Sequence, residues 1–477
     1  MSNVINKAQT TLSDISATEE QYESLLVELG PIVAQSAQSQ EYRELLNTNE
    51  IKSNLIEIIS DSFTPGRSYS TYYCRVFRGI LLLLRNISSV QPENGPFYST
   101  VLNSWDRADK SLQLNPTISS QLLVSYIQTL ANLTTQEEQE IENIQQTYTV
   151  TTKYCSQIAD LGPEAEFPFT LLLSNIAKNE GLSLLMKSPA LVEYLIKQFH
   201  SVDTDLDLNH HHSVLLSLLQ DLVSHEGYNN WLVTESQDFT LNFPQILQTS
   251  QLVVTSKSDW NNYEIAAMLA WIYDFFKIFS QRSQELLPSQ NIDTQELSIV
   301  HKNLISTLDC ISDLGKFEAA KQFLEHYHAM DELVALLRVI QDNVARQTLK
   351  KRKIEEINDQ NTTREKKFPQ VKSLIIEVIS YMAHESPKMQ DRVRELHGLE
   401  LVLSNCMIDD NDPYIKERAI ICIKILLENN QKNQQFVADL EAKQSVDDQA
   451  LKDVGYEVEI EDGKVKLRKS AEQSSSD

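Results

Sequence analysis

The residues of this 477-residue chain that could most readily bind a metal ion are histidines. His210, His211 and His212 are consecutive, and His225 follows them. Consecutive imidazoles can bind Cu or Zn weakly, but a structural or transport site normally adds Cys, Met or carboxylate ligands at turn or helical spacing. The chain has neither a CxxC pair nor a methionine-rich run. We therefore predict a polar loop between repeats at residues 210–212 and no metal site, with a copper or metal-homeostasis role as the alternative.

Enzymatic chemistry has no signature in the sequence. There is no Walker loop, nucleophile elbow, HExxH motif or dinucleotide fingerprint. Glycine is scarce, with 11 of 477 residues, or about 2%, whereas ordinary usage is roughly 7%. Glycine-rich phosphate loops, sandwiches and Rossmann folds are therefore disfavoured. A Cys–His or Ser–His–Asp site can be dispersed along a sequence, but our prediction is a protein without catalytic residues and without a cofactor.

Charge and cysteine usage narrow the class of partner and the compartment. The net charge of −25 disfavours nucleic-acid binding, because phosphate contacts need clustered Lys and Arg. It suits either basic partner segments or solubility alone. The longest apolar stretch, residues 80–84, is too short to cross a bilayer. The five cysteines are scattered through apolar helical sequence, which is typical of buried thiols in a reduced compartment. We predict a cytoplasmic protein without membrane insertion.

A short phrase, apolar–apolar–x–polar–apolar, recurs along the chain and reveals its organisation. The steps between its first four polar residues are 46, 43 and 46 positions, and these residues are Asn86, Asn132, Asn175 and Asp221. Tyr381 and Ile425 occupy the equivalent place near the C-terminus, 44 positions apart. A period of this length is typical of armadillo and HEAT repeats, whose helices bury their apolar faces against the neighbouring repeat. The sequence predicts an all-α, armadillo/HEAT-like α-solenoid.

The recurring polar residues have two interpretations. An Asn amide offers both a donor and an acceptor, so it can pair with the backbone of an extended ligand whatever the ligand's sequence. On this interpretation Asn86, Asn132, Asn175 and Asp221 line a protein-binding groove. Alternatively, the amides bond to carbonyls of neighbouring helices and organise the packing. The sequence leaves both open.

The chain divides by composition into five segments. They are N-terminal capping helices (1–50), armadillo-like repeats (51–341), a charged linker (342–367), a C-terminal domain (368–442) and a tail (443–477). The linker contains the basic run Lys350–Lys353, which is either a solvated helix face or a nuclear-import or acid-binding signal. If it is an import signal, the protein also enters the nucleus.

The tail carries a hairpin pattern at residues 456–468. Apolar residues alternate with acids before Asp462-Gly463 and with bases after it. Alternation around Asp-Gly is a strong signal for a short β-hairpin, and antiparallel pairing would set opposite charges across from each other. Because an isolated hairpin is marginally stable in water, we expect it to dock on the solenoid or await a partner. The final residues, 470–477, have the composition of a disordered end.

The block from residue 368 to residue 441 has two amphipathic helical patterns around an acidic corner at residues 409–414. It resembles the C-terminal signature of the ataxin-10 family over nearly all its length. The matching positions are 390–391, 393–396, 398, 408–411, 413, 415–417, 428, 430 and 433–434. A weaker match covers residues 83–86 and 92–94. In this chain Tyr381 and Ile425 replace the family's Asn, Arg418 replaces its Trp and Gly95 replaces a Gln.

The resemblance implies a function that composition does not. Ataxin-10 proteins are associated with regulation of cytokinesis and, in animals, with neurite growth, and they act by binding other proteins, signalling subunits and kinases among them. The resemblance therefore implies that this protein is a scaffold for cell-division or signalling components. Some fungal members carry a copper-transport label, which adds to the metal alternative that the histidines at 210–212 raise. Neither the partner nor the oligomeric state follows from the sequence.

The acidic corner is the second candidate site. Asp and Asn side chains accept hydrogen bonds at helix N-termini, and Pro413 suits a first helical turn. We therefore expect residues 409–411 to cap the following helix, with a partner contact as the alternative. The predicted C-terminal contact patch comprises Tyr381, Asp409, Asp410, Asn411 and Tyr414.

Overall fold

The computed structural model of the protein describes residues 2–90, 97–111, 116–135, 139–201, 210–236, 243–290, 293–346, 367–443, 456–461 and 464–469. The chain forms two compact units, Met1–Leu222 and Val223–Asp477. Apart from two short strands near the C-terminus, the secondary structure of the described residues is helical, as the all-α prediction requires. None of the described helices is both long enough and apolar enough to cross a membrane.

The first unit is a double row of helices. Its helices are α1 (Ser2–Ser13), α2 (Glu19–Gln38), α3 (Gln40–Leu46), α4 (Asn49–Ser60), α5 (Thr71–Ser88), α6 (Phe97–Ser111), α7 (Pro116–Leu133), α8 (Ile141–Thr152), α9 (Cys155–Leu161), α10 (Pro163–Ile176), α11 (Glu180–Leu185), α12 (Pro189–His200) and α13 (His210–Val223), whose last residue belongs to the second unit. In one row α5 packs on α2, α7 on α5 and α10 on α7; in the other, α4 packs on α1, α6 on α4 and α8 on α6.

Local sequence explains where these helices begin and how the rows join. Thr18 starts α2 with a capping box, in which Gln21 accepts from the Thr18 N–H at 2.7 Å. Between the rows, the buried hydroxyl of Ser104 lies 2.6 Å from that of Ser62 and 2.8 Å from that of Tyr126. Buried hydroxyls need such partners, so this row of hydrogen bonds fixes α6 against α7.

The second unit repeats the stacking with different helices. They are α14 (Tyr228–Glu235), α15 (Phe243–Thr255), α16 (Asn262–Leu286), α17 (Thr294–Leu314), α18 (Glu318–His326), α19 (Ala329–Asn343), α20 (Val371–Ala383), α21 (Pro387–Glu395), α22 (Gly398–Ser404), α23 (Ile415–Leu427) and α24 (Gln431–Lys443). One row contains α15, α17, α20 and α23, each packed on the one before.

The same backbone turn occurs twice in the second unit. His328 before α19 and His397 before α22 have φ of 55° and 56°, in the left-handed region. At the second turn, a Cβ on Gly398 would lie 2.8 Å from Cγ1 of Val393. Glycine is therefore required there by close packing of α21 against α22.

Two strands, β1 (Tyr456–Glu461) and β2 (Lys464–Lys469), follow α24 and pair antiparallel. The register sets Glu457 opposite Arg468 and Glu459 opposite Lys466. Strand β2 lies beside α24. The predicted Asp462-Gly463 turn and the tail at 470–477 lie outside the described residues. So do residues 347–366 of the predicted linker, including Lys350–Lys353.

Candidate protein-binding surfaces

Three asparagines connect the stacked helices of the first unit, and we call them the amide ladder: Asn86, Asn132 and Asn175. Asn132 on α7 donates from Nδ2 to the carbonyl of Arg85 on α5, at 3.0 Å. Asn175 on α10 donates to the carbonyl of Ala131 on α7 at 3.3 Å, and to Oγ1 of Thr134 at 3.2 Å. The acceptor carbonyl in each case belongs to the residue just before the preceding ladder asparagine.

Asn86 is the most deeply buried member of the ladder. Its Nδ2 donates to Oγ of Ser36 at 2.9 Å and to the carbonyl of Val33 at 3.3 Å, both on α2. Its Oδ1 accepts from Nη2 and Nε of Arg85 at 2.9 and 3.1 Å. Burial lowers the pKa of Arg85, and the neighbouring Arg78 adds to this effect. The geometry therefore uses the Asn86 amide fully within the protein.

The ladder geometry bears on both interpretations of the recurring polar residues. The Nδ2 donors hold helices together, as the packing interpretation expects. Asn132 and Asn175 are half-buried, and among the described residues nothing donates to their amide oxygens. Asn175 also lines a pocket of about 360 Å³ together with Thr135 and Lys178. Asp221, the fourth predicted groove residue, is exposed on α13.

The acidic corner does not cap the helix that follows it. Helix α23 begins at Ile415, and the residue before it, Tyr414, makes no side-chain capping bond. Instead Oδ2 of Asp412 accepts from the backbone N–H of Ser373, in the first turn of α20, at 2.9 Å. Gln370, which precedes α20, has left-handed backbone and makes no capping bond of its own. The corner thus caps an earlier helix, and the local capping prediction is wrong.

A buried ion pair anchors the same corner. Nζ of Lys372 on α20 lies 2.9 Å from Oδ2 of Asp409, and their side chains are 7% and 2% exposed. The other Asp409 oxygen accepts from the backbone N–H of Asn411 at 3.0 Å. Burial raises the pKa of Asp412, although hydrogen bonds from Ser373 oppose this shift. Asp409 is therefore a structural anchor rather than a surface residue.

The residues that the corner presents to solvent are apolar. Ile408 and Tyr414 are each 66% exposed and Met407 is 42% exposed. We call these three residues the corner surface. Sequence analysis selected Tyr414 but missed Met407 and Ile408, although two large apolar residues beside an acidic turn were the available signal. Of the other predicted patch residues, Asp410 and Asn411 are half-buried.

Tyr381 lies on α20 and is half-buried beside a charged pair. Nη2 of Arg418 on α23 lies 2.9 Å from Oε2 of Glu377 on α20. Burial raises the pKa of Tyr381, and Glu377 adds to this shift. A Cβ on Gly315 would lie 3.0 Å from the Tyr381 ring, so α17 approaches α20 closely at this point.

The histidine cluster lies on a helix and not on the predicted loop. Residues 210–212 form the first turn of α13. Nε2 of His211 is 3.0 Å from Oγ1 of Thr170, and its ring contacts that of Phe167. Burial lowers the pKa of His211, as does the nearby His212. Among the described residues, no group of three or more His, Cys, Asp or Glu side chains is arranged to hold a metal ion.

Comparison with known proteins places the chain in a family. A family model described as the spinocerebellar ataxia type 10 protein domain matches residues 371–468. A Debaryomyces hansenii protein named Ataxin-10 homolog is 47% identical and covers 98% of this chain and 96% of its own length. A Candida albicans protein of the same name is 31% identical over 98% of both chains. Ataxin-10 of Xenopus tropicalis is 38% identical over 97 residues, 20% of each chain.

Among solved structures, the karyopherin Kap121p bound to the SUMO protease Ulp1p matches 95% of this chain and 45% of its own, at 13% identity and a TM-score of 0.34. A likeness this weak supports no conclusion. The identity to the Debaryomyces hansenii protein, in contrast, extends over nearly the whole of both chains. The chain belongs to the ataxin-10 family.

Proposed function

We propose that the protein is a non-catalytic armadillo-repeat scaffold that binds other proteins in the regulation of cytokinesis and cell division. The observation that carries the proposal is the corner surface. Three large apolar side chains project from a turn whose backbone is tied down by buried carboxylates. Exposed apolar groups on a fixed frame favour binding, because little conformational entropy is lost when the partner docks.

The energetics of the anchor support this interpretation. Removing a charge from water costs several kcal/mol per ion, and a buried pair repays this only with good geometry. Here Lys372 and Asp409 incur that cost to fix a turn that contributes Met407, Ile408 and Tyr414 to the surface rather than to a core. A rigid solvent-facing apolar turn is explained more simply by a contact with another protein than by stability of the unit itself.

The first unit offers a second, weaker contact region for the same function. The amide oxygens of Asn132 and Asn175 and the pocket beside Asn175 could receive an extended segment of a partner. The internal use of the Nδ2 donors leaves only acceptors for such a segment. We therefore assign the main contact to the corner surface. Cell-division or signalling components are the expected partners, and the cytoplasm is the expected location, with the nucleus as a second location.

The test is quantitative partner capture with matched variants. Tagged full-length protein is purified from its own cells as wild type and as Ile408→Asp/Tyr414→Ala. The control is Ile15→Asp/Tyr263→Ala, because Ile15 is 84% exposed and Tyr263 is as exposed as Tyr414. We expect specifically bound proteins to fall about tenfold with the first variant and to be kept by the control, with helical content unchanged in both. Equal capture by all three proteins would refute the assignment to the corner surface.

A further inference from the structure

A pocket of about 490 Å³ lies between α16 and α17 in the second unit. Its apolar lining is made by Ile278, Phe279, Ile299 and Val300. Phe279 and Val300 are buried, whereas Ile278 is 43% exposed at the opening. The volume falls within the range of roughly 300–1,000 Å³ that is typical of ligand pockets. The pocket is thus large enough for one bulky apolar side chain.

The rim of this pocket carries an excess of negative charge. Arg282 is the only cation among the described residues that line the pocket, and Nη1 of Arg282 lies 2.8 Å from Oε2 of Glu285. The Nε of Arg282 also donates to Oε1 of Glu296 at 2.7 Å. Asp293 adds a third carboxylate, which accepts from the N–H groups of Gln295 and Glu296 at the start of α17. Three carboxylates against one guanidinium leave two negative charges.

These rim contacts leave the mouth accessible. The side chains of Arg282, Glu285 and Glu296 are 45%, 50% and 37% exposed. Ion pairs at such exposure contribute little to stability, so they can rearrange at small cost when a ligand enters. An incoming cation would meet carboxylates that Arg282 alone cannot neutralise, whereas an incoming anion would be repelled.

We propose that the α16–α17 pocket holds one large apolar side chain of a partner-protein segment that carries Lys or Arg about one helical turn away. The apolar lining matches the anchor side chain, and the net negative rim matches the adjacent cation. The inference rests on the proposed scaffold function and adds a second contact point with defined chemistry. The net charge of −25 would also speed the approach of a basic segment.

The test uses three synthetic, fluorescein-labelled helical peptides and the full-length protein. The first peptide has one Leu with Lys residues one turn to either side, the second has Glu in place of Lys, and the third has Ala in place of Leu. Fluorescence anisotropy measures their binding. We expect saturable binding of the first peptide and at least about tenfold weaker binding of the other two. Equal binding of the Lys and Glu peptides would overturn the proposal.

Protein variants separate this pocket from general attraction to an acidic protein. Ile299→Trp fills the pocket, and Ile278→Asp places a charge at its opening. Glu285→Gln/Glu296→Gln removes two rim charges, and Glu41→Gln/Glu44→Gln removes two exposed charges from α3 as the matched control. We expect each pocket variant to weaken binding of the Leu/Lys peptide about tenfold and the control to leave it nearly unchanged. Equal weakening by the rim pair and the control would overturn the pocket assignment.

Two outcomes distinguish this inference from the scaffold proposal. If the wild-type protein captures partners but binds none of the peptides, the pocket inference fails and the scaffold function stands. If Ile299→Trp removes self-association of the protein, measured by sedimentation, while peptide binding is absent, the pocket belongs to a second copy of the chain and the inference also fails.

Discussion

In the first unit the amide ladder links α5, α7 and α10, whereas in the second unit carboxylates take part in the links of α15 to α17 and of α20 to α23. Asn132 and Asn175 each donate to a backbone carbonyl on the preceding helix. In the second unit, Glu377 on α20 pairs with Arg418 on α23 at 2.9 Å. Gln251 on α15 donates to Asp309 on α17 at 2.6 Å. Two kinds of polar link thus serve the same packing of one helix on the next.

The difference teaches what each unit can do at its surface. An amide-to-carbonyl link consumes donors that a peptide groove would need, and it is insensitive to salt and pH. Charged links depend on both. In the second unit the buried pair Lys372–Asp409 also fixes the turn that carries the corner surface. The amide ladder therefore uses its donors within the first unit, whereas the second unit carries the corner surface, where we propose that partners bind.

The largest expected effect is the loss of the buried ion pair. Asp409→Ala leaves the Lys372 ammonium buried without its partner, so we expect the free energy of unfolding to fall by about 3–5 kcal/mol. Urea unfolding followed by circular dichroism measures it. The double variant Lys372→Met/Asp409→Leu removes both charges and should recover much of the loss. A decrease of less than about 1 kcal/mol in the single variant would contradict a buried anchor.

Removing one asparagine of the amide ladder should lower the free energy of unfolding by less than the loss of the ion pair does. Asn175→Ala removes the bonds to the Ala131 carbonyl and to Thr134, and we expect a loss of about 0.5–1.5 kcal/mol. The loss should be the same at low and high salt, because no ion is involved. The exposed Asn230 supplies the control, and Asn230→Ala should be nearly neutral. A strong salt dependence of the Asn175→Ala effect would break the distinction between the two units.

One asparagine of the second unit should behave in the opposite way. Asn303 on α17 is fully buried, and among the described residues neither its amide oxygen nor its amide nitrogen has a hydrogen-bond partner. Replacing an unsatisfied buried amide with an apolar side chain of similar size removes a desolvation cost. We expect Asn303→Leu to stabilise the protein by about 1 kcal/mol, as measured by urea unfolding. Asn303→Ala supplies the comparison. Destabilisation by Asn303→Leu as large as that by Asn303→Ala would show that the Asn303 amide stabilises the protein.

The smallest effect is a pH dependence centred on Asp412. Burial raises its pKa in the folded protein, so its stabilising contribution is present below the unfolded pKa and is lost as pH rises through the folded pKa. Asp412→Asn cannot ionise. The stability of this variant relative to wild type should therefore increase from about pH 4, near the ordinary carboxylate range, to neutral pH. A relative stability that decreases over that interval would reverse the sign assigned to this group.

Sequence analysis predicted the features that rest on periodicity. The steps of 43 to 46 residues between the recurring polar residues correctly indicated stacked helices, because each helix must bury its apolar face on the next. It could not choose between a packing role and a groove role for Asn132 or Asn175. Both roles place the amide at the same helical position, and only the neighbouring carbonyl decides where Nδ2 donates.

Local capping rules could not predict the contacts of the acidic corner. Capping rules look a few residues ahead, but Asp412 bonds to Ser373, which lies 39 residues earlier in the chain. The ion pair of Asp409 with Lys372 is equally non-local, because the two positions are 37 apart in the sequence. The exposure of Met407 and Ile408 follows from these contacts, as does the burial of Asp409. The α16–α17 pocket likewise depends on tertiary packing that no single helix pattern encodes.

The most direct test of the account is hydrogen exchange on the protein with and without a captured partner. Amide exchange reports local protection, so it locates the contact on the chain. We predict that partner binding slows exchange more in residues 405–415, around the corner surface, than in α5, α7 and α10 of the amide ladder. Protection confined to the ladder helices, with residues 405–415 unaffected, would contradict the assignment of partner binding to the second unit.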